Sequence, residues 1–512
     1  MGLGLTRAVG LLGIEGLAVH VEADVAAGLP SFTVSGRPDA SCRQSPDRIR
    51  AAAANSGHPI PQRRITVNLS PASVPKVGSG FDLSIAVAVL VASGAIPGHL
   101  VERVAHLGEL GLDGSVRPIR GVLALVLEAA RSGVRHVVVP VANAAEARLI
   151  RSVRVHPVAH LAELVRRYQL MGGGRTPDEV PDVPTVRAEP EAVPDLVDVI
   201  GQHEPRRALE IAAAGGHHLY LVGPPGAGKT MLAERLPGLL PALDDEQAME
   251  VTAIASIMGT LGDQTCLQRR PPFVAPHHGA SMPAVIGGGS GHIHPGAITQ
   301  AHHGVLFMDE APEFKPQVMQ ALRQPVESGS VVIARASGRV RYPCRFQLVL
   351  AANPCPCGMG FGKGVGCSCP PQRRRTYLGK LVGPLLDRID LQVFVPAPSR
   401  ATLVMEAGES TAEVAARVRV ARARQAERWA GCDWRLNGHA PGTVFRRGRQ
   451  RLPRTTTTDL DFAIDAGMIS MRGYDRCLKL AWTISDLGAG GVPTRDDVGL
   501  ALSLRQHVAV AA

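Results

Sequence analysis

The sequence predicts a multidomain α/β protein with a helical C-terminal region, and three observations support this fold class. Residues 1–170 alternate short apolar runs, typical of strands, with longer stretches typical of helices. Near residue 220, a buried-strand pattern is followed directly by a glycine-rich turn and a helical segment. Beyond about residue 397 the strand patterns fade, and a helical periodicity rich in Arg and Ala takes over. The order of these patterns predicts two α/β domains followed by a helical one.

The N-terminal α/β domain is expected over residues 1–170. Its predicted strands are residues 18–25, 31–34, 65–68 and 136–139. Its predicted helices are residues 48–56, 83–93 and 123–132. A polar stretch rich in Gly, Pro, Glu and Asp then predicts a linker over residues 171–194.

A second α/β domain is predicted over residues 195–396, and a helical domain over 397–512. In the helical domain, the clearest helices are expected over residues 412–430 and 473–486. The 512 residues suggest about three domains, at roughly 100–200 residues per domain. With 45% hydrophobic and 20% charged residues, the composition excludes a mainly disordered chain.

Charge and cysteine content bear on partners and compartment. The net charge of +10 permits a polyanionic partner without identifying one. Basic charge concentrates between Arg400 and Arg454, where 12 arginines face five acidic residues. The longest uncharged apolar run, residues 83–101, contains Gly94 and Pro97, so we expect a buried helix and turn instead of a membrane span. No secretory signal is visible, and nine cysteines do not suggest a disulfide scaffold, so we expect a cytoplasmic protein.

The glycine-rich turn matches the phosphate-loop pattern G-x-x-x-x-G-K-[ST]. A strand before it and a helix after it are the context that makes this motif specific. Its glycines let backbone N–H groups surround phosphate oxygens, its lysine reaches the β/γ-phosphates, and its threonine hydroxyl can bind Mg²⁺. The sequence therefore predicts ATP binding by Gly223, Pro224, Pro225, Gly226, Ala227, Gly228, Lys229 and Thr230.

An apolar strand pattern ending in two carboxylates supports the same interpretation. Residues 304–310 end in Asp309 and Glu310. In a phosphate-loop ATPase, the first carboxylate lies near the metal and the second near the attacking water. We therefore expect Asp309 to join Thr230 at Mg²⁺ and Glu310 to be catalytic.

Two further residues are candidates for contacting the γ-phosphate. Asn353 ends the next predicted strand, where a polar side chain can sense that phosphate and orient the water. Arg388 precedes a later apolar strand and could reach a neighbouring subunit's ATP as an arginine finger. From the residues alone, an intrachain ion pair of Arg388 with Asp387 or Asp390 is equally supported.

Together these motifs resemble an AAA+ ATPase of the magnesium-chelatase-like group. Residues 273–281, 302–314, 321–327 and 353–358 resemble the YifB/ComM family closely. The resemblance implies a homo-oligomeric ring, a hexamer, with ATP between subunits and Arg388 as the finger. It also implies a further arginine from the C-terminal lid: Arg472, with Arg476 as a competitor. Two positions depart from the family pattern, Ala311 and Trp482, and the second leaves the lid's polar contacts open.

The N-terminal domain resembles the proteolytic domain of Lon without its catalytic pair. The resemblance places Leu123 where that family has the lysine that activates a serine. Ser79 lies near the serine position, but a serine nucleophile needs a base within hydrogen-bond reach, which leucine cannot supply. The domain is therefore expected to be Lon-like and non-proteolytic. Lys76, Arg63 and Arg64 could touch DNA or could simply be solvated charges.

Four cysteines form the pattern C-x-C-x₉-C-x-C beside Asn353. Such pairs can converge on Zn²⁺, which favours thiolate ligands, although C-x-C is tighter than the common zinc spacing. Reduced loop thiols and redox pairing are the alternatives. The candidate zinc ligands are Cys355, Cys357, Cys367 and Cys369. The paired histidines at 277–278 and 302–303 could also suggest a metal site, but capping and hydrogen bonding between elements are the favoured interpretation.

Residues 331–345 predict a β-hairpin with a Ser-Gly turn. The family resemblance implies that this hairpin projects into the pore of the ring. Arg335, Arg339 and Arg341 lie near its tip and could hold the phosphates of a threaded DNA strand. A hairpin that packs at a subunit boundary is the alternative.

The leading functional hypothesis is an ATP-driven DNA motor. Resemblance to the YifB/ComM family implies a branch-migration helicase in recombination and natural transformation, with recombination proteins as partners. The alternatives are a metal-chelatase motor subunit and a protein-remodelling chaperone. A chelatase motor needs neither the Lon-like domain, the cysteine loop nor the basic hairpin.

Overall fold

A computed structural model describes residues 2–173, 194–261, 266–289, 293–335, 338–360, 366–381, 385–398 and 408–510. The predicted linker, 171–194, therefore lies almost wholly outside the described residues. The chain divides into two compact units. The first unit is Met1–Pro190 with Ala248–Gln268, and the second is Glu191–Gln247 with Arg269–Ala512.

The first unit is built on a mixed sheet. Its strands are β1 Gly2–Leu12, β2 Glu15–Ala26, β3 Ser31–Ser35, β4 Arg64–Ser70, β5 Val104–His106, β6 Glu109–Leu110, β7 Val116–Arg117, β8 His136–Pro140 and β9 Arg154–Val158. Among the described residues seven of them form one sheet in the order β3-β4-β2-β1-β5-β8-β9. The pairs β1/β2 and β2/β4 are antiparallel, and the remaining pairs are parallel.

The core of the first unit lies between this sheet and its helices. The helices are α1 Ala40–Arg43, α2 Ser45–Asn55, α3 Asp82–Ala92, α4 Val122–Arg131, α5 Ala144–Ala147 and α6 Leu161–Gly172. Strand β2 alternates buried and less buried positions, as expected when one face of a sheet covers a core. Helix α3 is buried on nearly every side, which explains its almost uncharged sequence.

The second unit contains a parallel five-stranded sheet. Its strands, in spatial order, are β11 Phe273–Val274, β14 Val305–Met308, β17 Gln347–Ala352, β10 Leu219–Val222 and β18 Leu391–Phe394. Every neighbouring pair is parallel. β10 and β17 are buried throughout, as expected for parallel strands covered on both faces. Functional loops of such sheets gather at the carboxyl ends of the strands.

The remaining strands of the second unit form two small antiparallel pairs. They are β12 Gly287–Gly288 with β13 His294–Pro295, and β15 Ser330–Arg335 with β16 Gly338–Pro343. The helices around the sheet are α7 His203–Gly215, α8 Lys229–Leu239, α10 Met282–Ile286, α11 Ala297–Gln300, α12 Pro316–Ala321, α13 Arg323–Ser328 and α14 Pro371–Gly379.

The C-terminal part of the second unit is helical in the described residues. Its helices are α15 Thr411–Arg428, α16 Gly442–Arg447, α17 Arg454–Asp465, α18 Met471–Leu487 and α19 Arg495–Val510. The helices predicted over 412–430 and 473–486 correspond to α15 and α18. A Ser410–Glu413 capping box begins α15. The predicted fold class, mixed α/β with a helical C-terminal region, is confirmed.

One helix departs from the predicted domain assignment. Helix α9, Asp245–Met258, starts in the second unit, but from Ala248 onward its residues belong to the first. Within the first unit, Ala253 joins the core that contains α4, and Met249 and Ile257 pack against it. The Ser256 carbonyl accepts a 3.3 Å hydrogen bond from the Gly121 backbone N–H. Apolar packing of residues far apart in the chain determines this assignment, and local patterns carry no signal for it.

Candidate nucleotide site

The phosphate loop connects β10 to the N-terminus of α8. Gly228 caps α8 with a φ of +89°, a left-handed conformation that favours glycine. The turn therefore directs backbone N–H groups and the positive end of the helix dipole into the space above β10. The Gln202 side chain supports the loop by donating to the Ala227 carbonyl over 2.6 Å.

Lys229 lies at the centre of the site and is nearly buried. Its ammonium group donates to the carbonyls of Gly223 and Pro224 over 2.8 and 2.9 Å. It also donates to Asn353 Oδ1 over 3.1 Å. Burial lowers the pKa of Lys229, and the carboxylates of Asp309 and Glu310 oppose that effect. The lysine therefore links the phosphate loop to the end of β17.

The predicted metal ligands meet directly. Thr230 Oγ1 donates to Asp309 Oδ2 over 2.8 Å. The hydroxyl comes from the first turn of α8 and the carboxylate from the end of β14. Oxygen ligands of this kind suit Mg²⁺, which is bound by few protein groups together with phosphates and water.

Glu310 adopts an unusual backbone conformation next to Asp309. Its φ is +49°, and its backbone N–H donates to Asp309 Oδ1 over 2.8 Å. Left-handed conformations of residues other than glycine are rare and tend to occur at active sites. Because of this turn, the two consecutive carboxylates take different partners. Asp309 faces Thr230, while Glu310 faces His278.

His278 makes a contact between elements, as the sequence predicted for the paired histidines, but its partner Glu310 was not predicted. Its Nδ1 lies 3.1 Å from Glu310 Oε2. In the parallel register Val274 pairs with Leu306, so His278 and Glu310 follow the paired strands at equal distance. A histidine shortly after β11 was the available signal. For its neighbour, the expected capping role fits, since His277 Nδ1 accepts a 3.0 Å hydrogen bond from the Gly279 N–H.

The candidate arginines Arg388, Arg472 and Arg476 differ in environment. Arg388 is mostly buried, and its Nε lies 2.8 Å from Glu327 Oε1. Arg388 thus forms an ion pair within the chain with Glu327, a partner that the sequence did not suggest. Arg472 is exposed at the start of α18. Its competitor Arg476 is instead paired with buried Asp390 over 2.8 Å.

Asp390 is the buried acceptor that holds Arg476. The Arg476 guanidinium and the two neighbouring histidines, His217 and His218, keep the pKa of Asp390 well below its usual range, although burial acts in the opposite direction. The His218 backbone N–H also donates to Asp390 Oδ2 over 2.9 Å. Arg476 is therefore committed to a structural ion pair, which leaves Arg472 as the exposed lid arginine of the two.

The four candidate zinc ligands converge. Their Sγ atoms all lie within 4.8 Å of one another. Cys367 Sγ is 3.7 Å from both Cys355 Sγ and Cys357 Sγ, and the last two are 3.3 Å apart. Tetrahedral sulfur ligands about 2.3 Å from zinc lie roughly 3.8 Å from each other. Bonding from the Met359 backbone N–H lowers the pKa of Cys357 to about 6, whereas burial raises the pKa of Cys355 to about 12 and also raises that of Cys369. The sulfur geometry is thus the observation that supports a metal. The donor set therefore fits a zinc ion.

The predicted hairpin is formed by β15 and β16. Arg335 pairs with Gly338. Residues 336–337, which include the serine of the predicted Ser-Gly turn, and the Arg335 side chain lie outside the described residues. One face of the hairpin is apolar and buried through Val331, Ile333, Val340 and Tyr342. Arg339 and Arg341, two residues apart, share the exposed face.

The arginine-rich C-terminal segment is partly structural. Arg422 donates to the Ala213 carbonyl over 2.9 and 2.6 Å, and Arg424 to the Asp486 carbonyl over 2.5 Å. Arg428 pairs with Asp486 and lies over the Trp482 ring at 4.5 Å. The Trp482 indole N–H donates to the Gln450 carbonyl over 3.1 Å. These three arginines therefore connect elements of the second unit.

The first unit contains the residues that were compared with the catalytic pair of Lon. Leu123 is fully buried in α4, and the Ser79 hydroxyl donates to the Glu109 carboxylate. Lys76 is 1% exposed and donates to the Pro71 carbonyl, so the expectation that it is a solvated or DNA-facing charge is wrong. Arg63 and Arg64 are exposed. Within the described part of the chain, no helix combines the length and apolarity needed to cross a membrane.

Family comparisons agree with this layout. Residues 195–403 match the family described as magnesium chelatase, subunit ChlI. Residues 21–143 match subunit ChlI of Mg-chelatase, and residues 408–505 match its C-terminal family. The fold and site thus define an AAA+-like, ATP-binding protein of the magnesium-chelatase class, with the ATPase role and use of Mg²⁺ that this class implies.

Individual relatives match almost the whole chain. A protein of Mycobacterium tuberculosis is 46% identical over 508 residues, covering 99% of both chains. YifB of Escherichia coli is 38% identical over 509 residues, covering 99% of this chain and 97% of its own. Competence protein ComM of Haemophilus influenzae is 39% identical over 492 residues, covering 95% and 94%. The chain belongs to the YifB/ComM family of magnesium-chelatase-like proteins.

Proposed function

We propose that this protein is an ATP-hydrolysing ring motor that acts on DNA, a branch-migration helicase of recombination and natural transformation. The observation that supports DNA as the substrate is the exposed face of the β15–β16 hairpin, where Arg339 and Arg341 project beside each other. The opposite face is apolar and buried, so the hairpin presents its charge in one direction. The name of one relative, competence protein ComM, agrees with a role in DNA uptake.

At the nucleotide site, each proposed role follows from the side chain's position. Lys229 binds the β/γ-phosphates, and Thr230 and Asp309 hold Mg²⁺, which neutralises developing phosphate charge. Glu310 orients and activates the attacking water. Asn353 contacts the γ-phosphate from the end of β17, next to Lys229. The hydrogen bond between Thr230 and Asp309 supports these roles, because it brings two elements to one metal position.

The ring is proposed to complete this site from a neighbouring subunit. Arg388 acts in trans as the finger, and its pair with Glu327 restricts the guanidinium before assembly. Arg472 contributes from the exposed start of α18. The proposed assembly is a homohexamer in the cytoplasm, with recombination proteins as partners.

Zinc is proposed as a structural cofactor, held by the four clustered cysteines. The 3.7 Å sulfur separations support this ion over a disulfide, because a disulfide would bring one pair of sulfurs to about 2.05 Å. Metal analysis of the purified protein should find one zinc per chain. A Cys367→Ser variant should lose the zinc, while Cys432→Ser, at an exposed cysteine elsewhere, should keep it.

The DNA assignment is tested by changing the hairpin. Arg339→Ala/Arg341→Ala should weaken DNA binding and reduce the log–log salt slope by roughly 0.7–0.9 for each phosphate that the variant no longer binds. ATPase activity without DNA should persist, because the hairpin is separate from the phosphate loop. The readouts are DNA affinity against salt, and ATPase with single-stranded and branched DNA.

A charge-matched control is Arg131→Ala/Arg135→Ala, which removes two exposed arginines from the first unit. It should leave DNA affinity unchanged. Wild-type affinity and slope in the hairpin variant would refute the assignment. ATPase activity indifferent to every DNA form would favour the chaperone or the chelatase motor instead.

A further inference from the structure

We infer that the cysteine turn, residues 355–358, packs against the phosphate loop and holds it in its binding conformation, a role we call a brace. The metal bound by the cysteines would then determine how tightly the site binds ATP. The inference rests on the zinc and nucleotide sites of the proposed function. It adds a coupling between them, which neither site requires by itself.

The first observation is a close approach between the turn and the loop. Gly358 has a φ of +76°, and a Cβ added to it would lie 2.5 Å from Pro225 Cδ. No side chain fits in that gap, so the backbone of the turn lies directly against the phosphate loop. Pro225 is one of the eight residues predicted to bind ATP, so the turn contacts the predicted phosphate loop itself.

The second observation is that sulfur contacts hold the same turn. The Gly358 N–H donates to the Cys355 carbonyl over 2.9 Å, which closes the turn. The Gly360 N–H donates to Cys355 Sγ over 3.1 Å. Cys355 and Cys357 are both candidate ligands, so a metal bound to them fixes the residues immediately before Gly358. Thiols without metal are weak hydrogen-bonding groups and restrain the turn far less.

A second connection reaches the lysine of the loop. Asn353 precedes Cys355 by two residues, and its Oδ1 accepts from Lys229 over 3.1 Å. The Asn353 backbone also bonds the buried Tyr377, so the strand end is held on both sides. The cysteine cluster is therefore linked to the loop through Pro225 and through Lys229.

Metal binding can supply the energy for such a brace. A structural zinc site contributes its binding energy to the folding of the segment that holds it. Loss of the ion would release the turn and let Pro225 and Asn353 move. ATP would then have to order the loop on binding, and its affinity would fall by the free energy of that ordering.

The test measures the Kd of a non-hydrolysable ATP analogue for the full-length protein, with and without zinc. Removal of zinc by thiol modification and chelation should weaken binding of the analogue about tenfold, a factor within the range typical of coupled sites. Reduction of the cysteines and added zinc should restore the affinity. Equal Kd values for zinc-loaded and zinc-free protein would overturn the inference.

A second variant separates the brace from metal binding. Gly358→Ala removes no zinc ligand, so this variant should retain zinc. It should bind the ATP analogue more weakly, because the added methyl group displaces Pro225. Gly133→Ala is the control, because Gly133 also has a positive φ but an added Cβ there would meet open space. Wild-type affinity in Gly358→Ala would contradict the brace. A missing response of the ATPase to DNA would instead refute the proposed motor and leave the brace intact.

Discussion

At residue 310 the backbone takes a conformation that side-chain-bearing residues seldom adopt. A left-handed glutamate costs ~1–3 kcal/mol, so its surroundings must maintain it. The benefit is geometric: Asp309 and Glu310, though consecutive, face Thr230 and His278 respectively. In the proposed mechanism, this leaves Asp309 for the metal and Glu310 for the attacking water.

This separation of roles predicts different defects for two variants. Lys229→Ala should abolish ATP binding, since it removes the ammonium placed for the β/γ-phosphates. Glu310→Gln should keep ATP binding but slow hydrolysis by about a hundredfold or more, the scale of a positioned general base. Analogue binding and steady-state ATPase activity measure the two effects.

Glu313→Gln is the matched control for Glu310, because Glu313 is an exposed glutamate three residues further on. It should hydrolyse ATP at the wild-type rate. Undiminished turnover in Glu310→Gln would rule out its assigned role.

At the level of elements, the helical C-terminal region is fastened by a buried polar network. Asn437, fully buried, donates to Thr483 Oγ1 over 3.1 Å and to Asp486 Oδ2 over 2.9 Å. It accepts from the Trp429 indole over 3.0 Å. The same network reaches α7 through Gln425, which accepts from the Asn437 N–H and donates to the Ala214 carbonyl. It reaches His217, just before β10, through Thr483. Polar groups buried this deeply must all be satisfied, so they fix how α15 and α18 pack.

Removing one partner from this network should therefore lower the stability of the protein more than removing a charged side chain from the surface would. Asp486→Ala leaves the Arg428 guanidinium largely buried without its carboxylate, which should destabilise the region by about 3 kcal/mol. Urea unfolding followed by tryptophan fluorescence measures this region specifically, because all three tryptophans, Trp429, Trp434 and Trp482, lie in it.

The comparison variant is Asp459→Ala, which breaks the exposed ion pair with Arg495. Its unfolding midpoint should match that of the wild type, because solvent screens exposed pairs. If Asp486→Ala unfolded at the same urea concentration as Asp459→Ala, the claim that the buried network stabilises the helical region would be wrong.

At the scale of the whole molecule, local patterns predicted the elements, and contacts distant in sequence determined how they combine. Strand and helix periodicity and the motif order predicted the α/β fold class, the helical C-terminal region and the phosphate loop, since those depend on residues close in the chain. The pairing of His278 with Glu310 depends on which strands are neighbours. The burial of Lys76 and the Glu327 partner of Arg388 likewise depend on tertiary packing, which composition does not encode.

Assembly gives a prediction at this scale. Arg388→Ala should bind ATP yet lose most turnover, by about a thousandfold if it acts as an arginine finger. Mixing it with Lys229→Ala subunits should restore activity. In evenly mixed rings about a quarter of the head-to-tail interfaces combine an intact lysine with an intact neighbouring arginine.

ATPase activity against mixing ratio is the measurement, and Arg373→Ala, at an exposed arginine of α14, is the control. That variant should be active alone. No gain at any ratio in rings shown to contain both subunits would contradict a role in trans.

Helix α9 has a consequence for how this polypeptide can be divided. The first unit is discontinuous in sequence, since it takes Ala248–Gln268 from beyond the linker. A protease that cleaves within residues 174–193 would sever the backbone without separating a complete first unit from the rest. A fragment ending before the phosphate loop would lack Met249, Ala253 and Ile257 and would expose the apolar surface they cover. Neither unit is a single contiguous stretch of the sequence, so neither can be exchanged or lost as one segment.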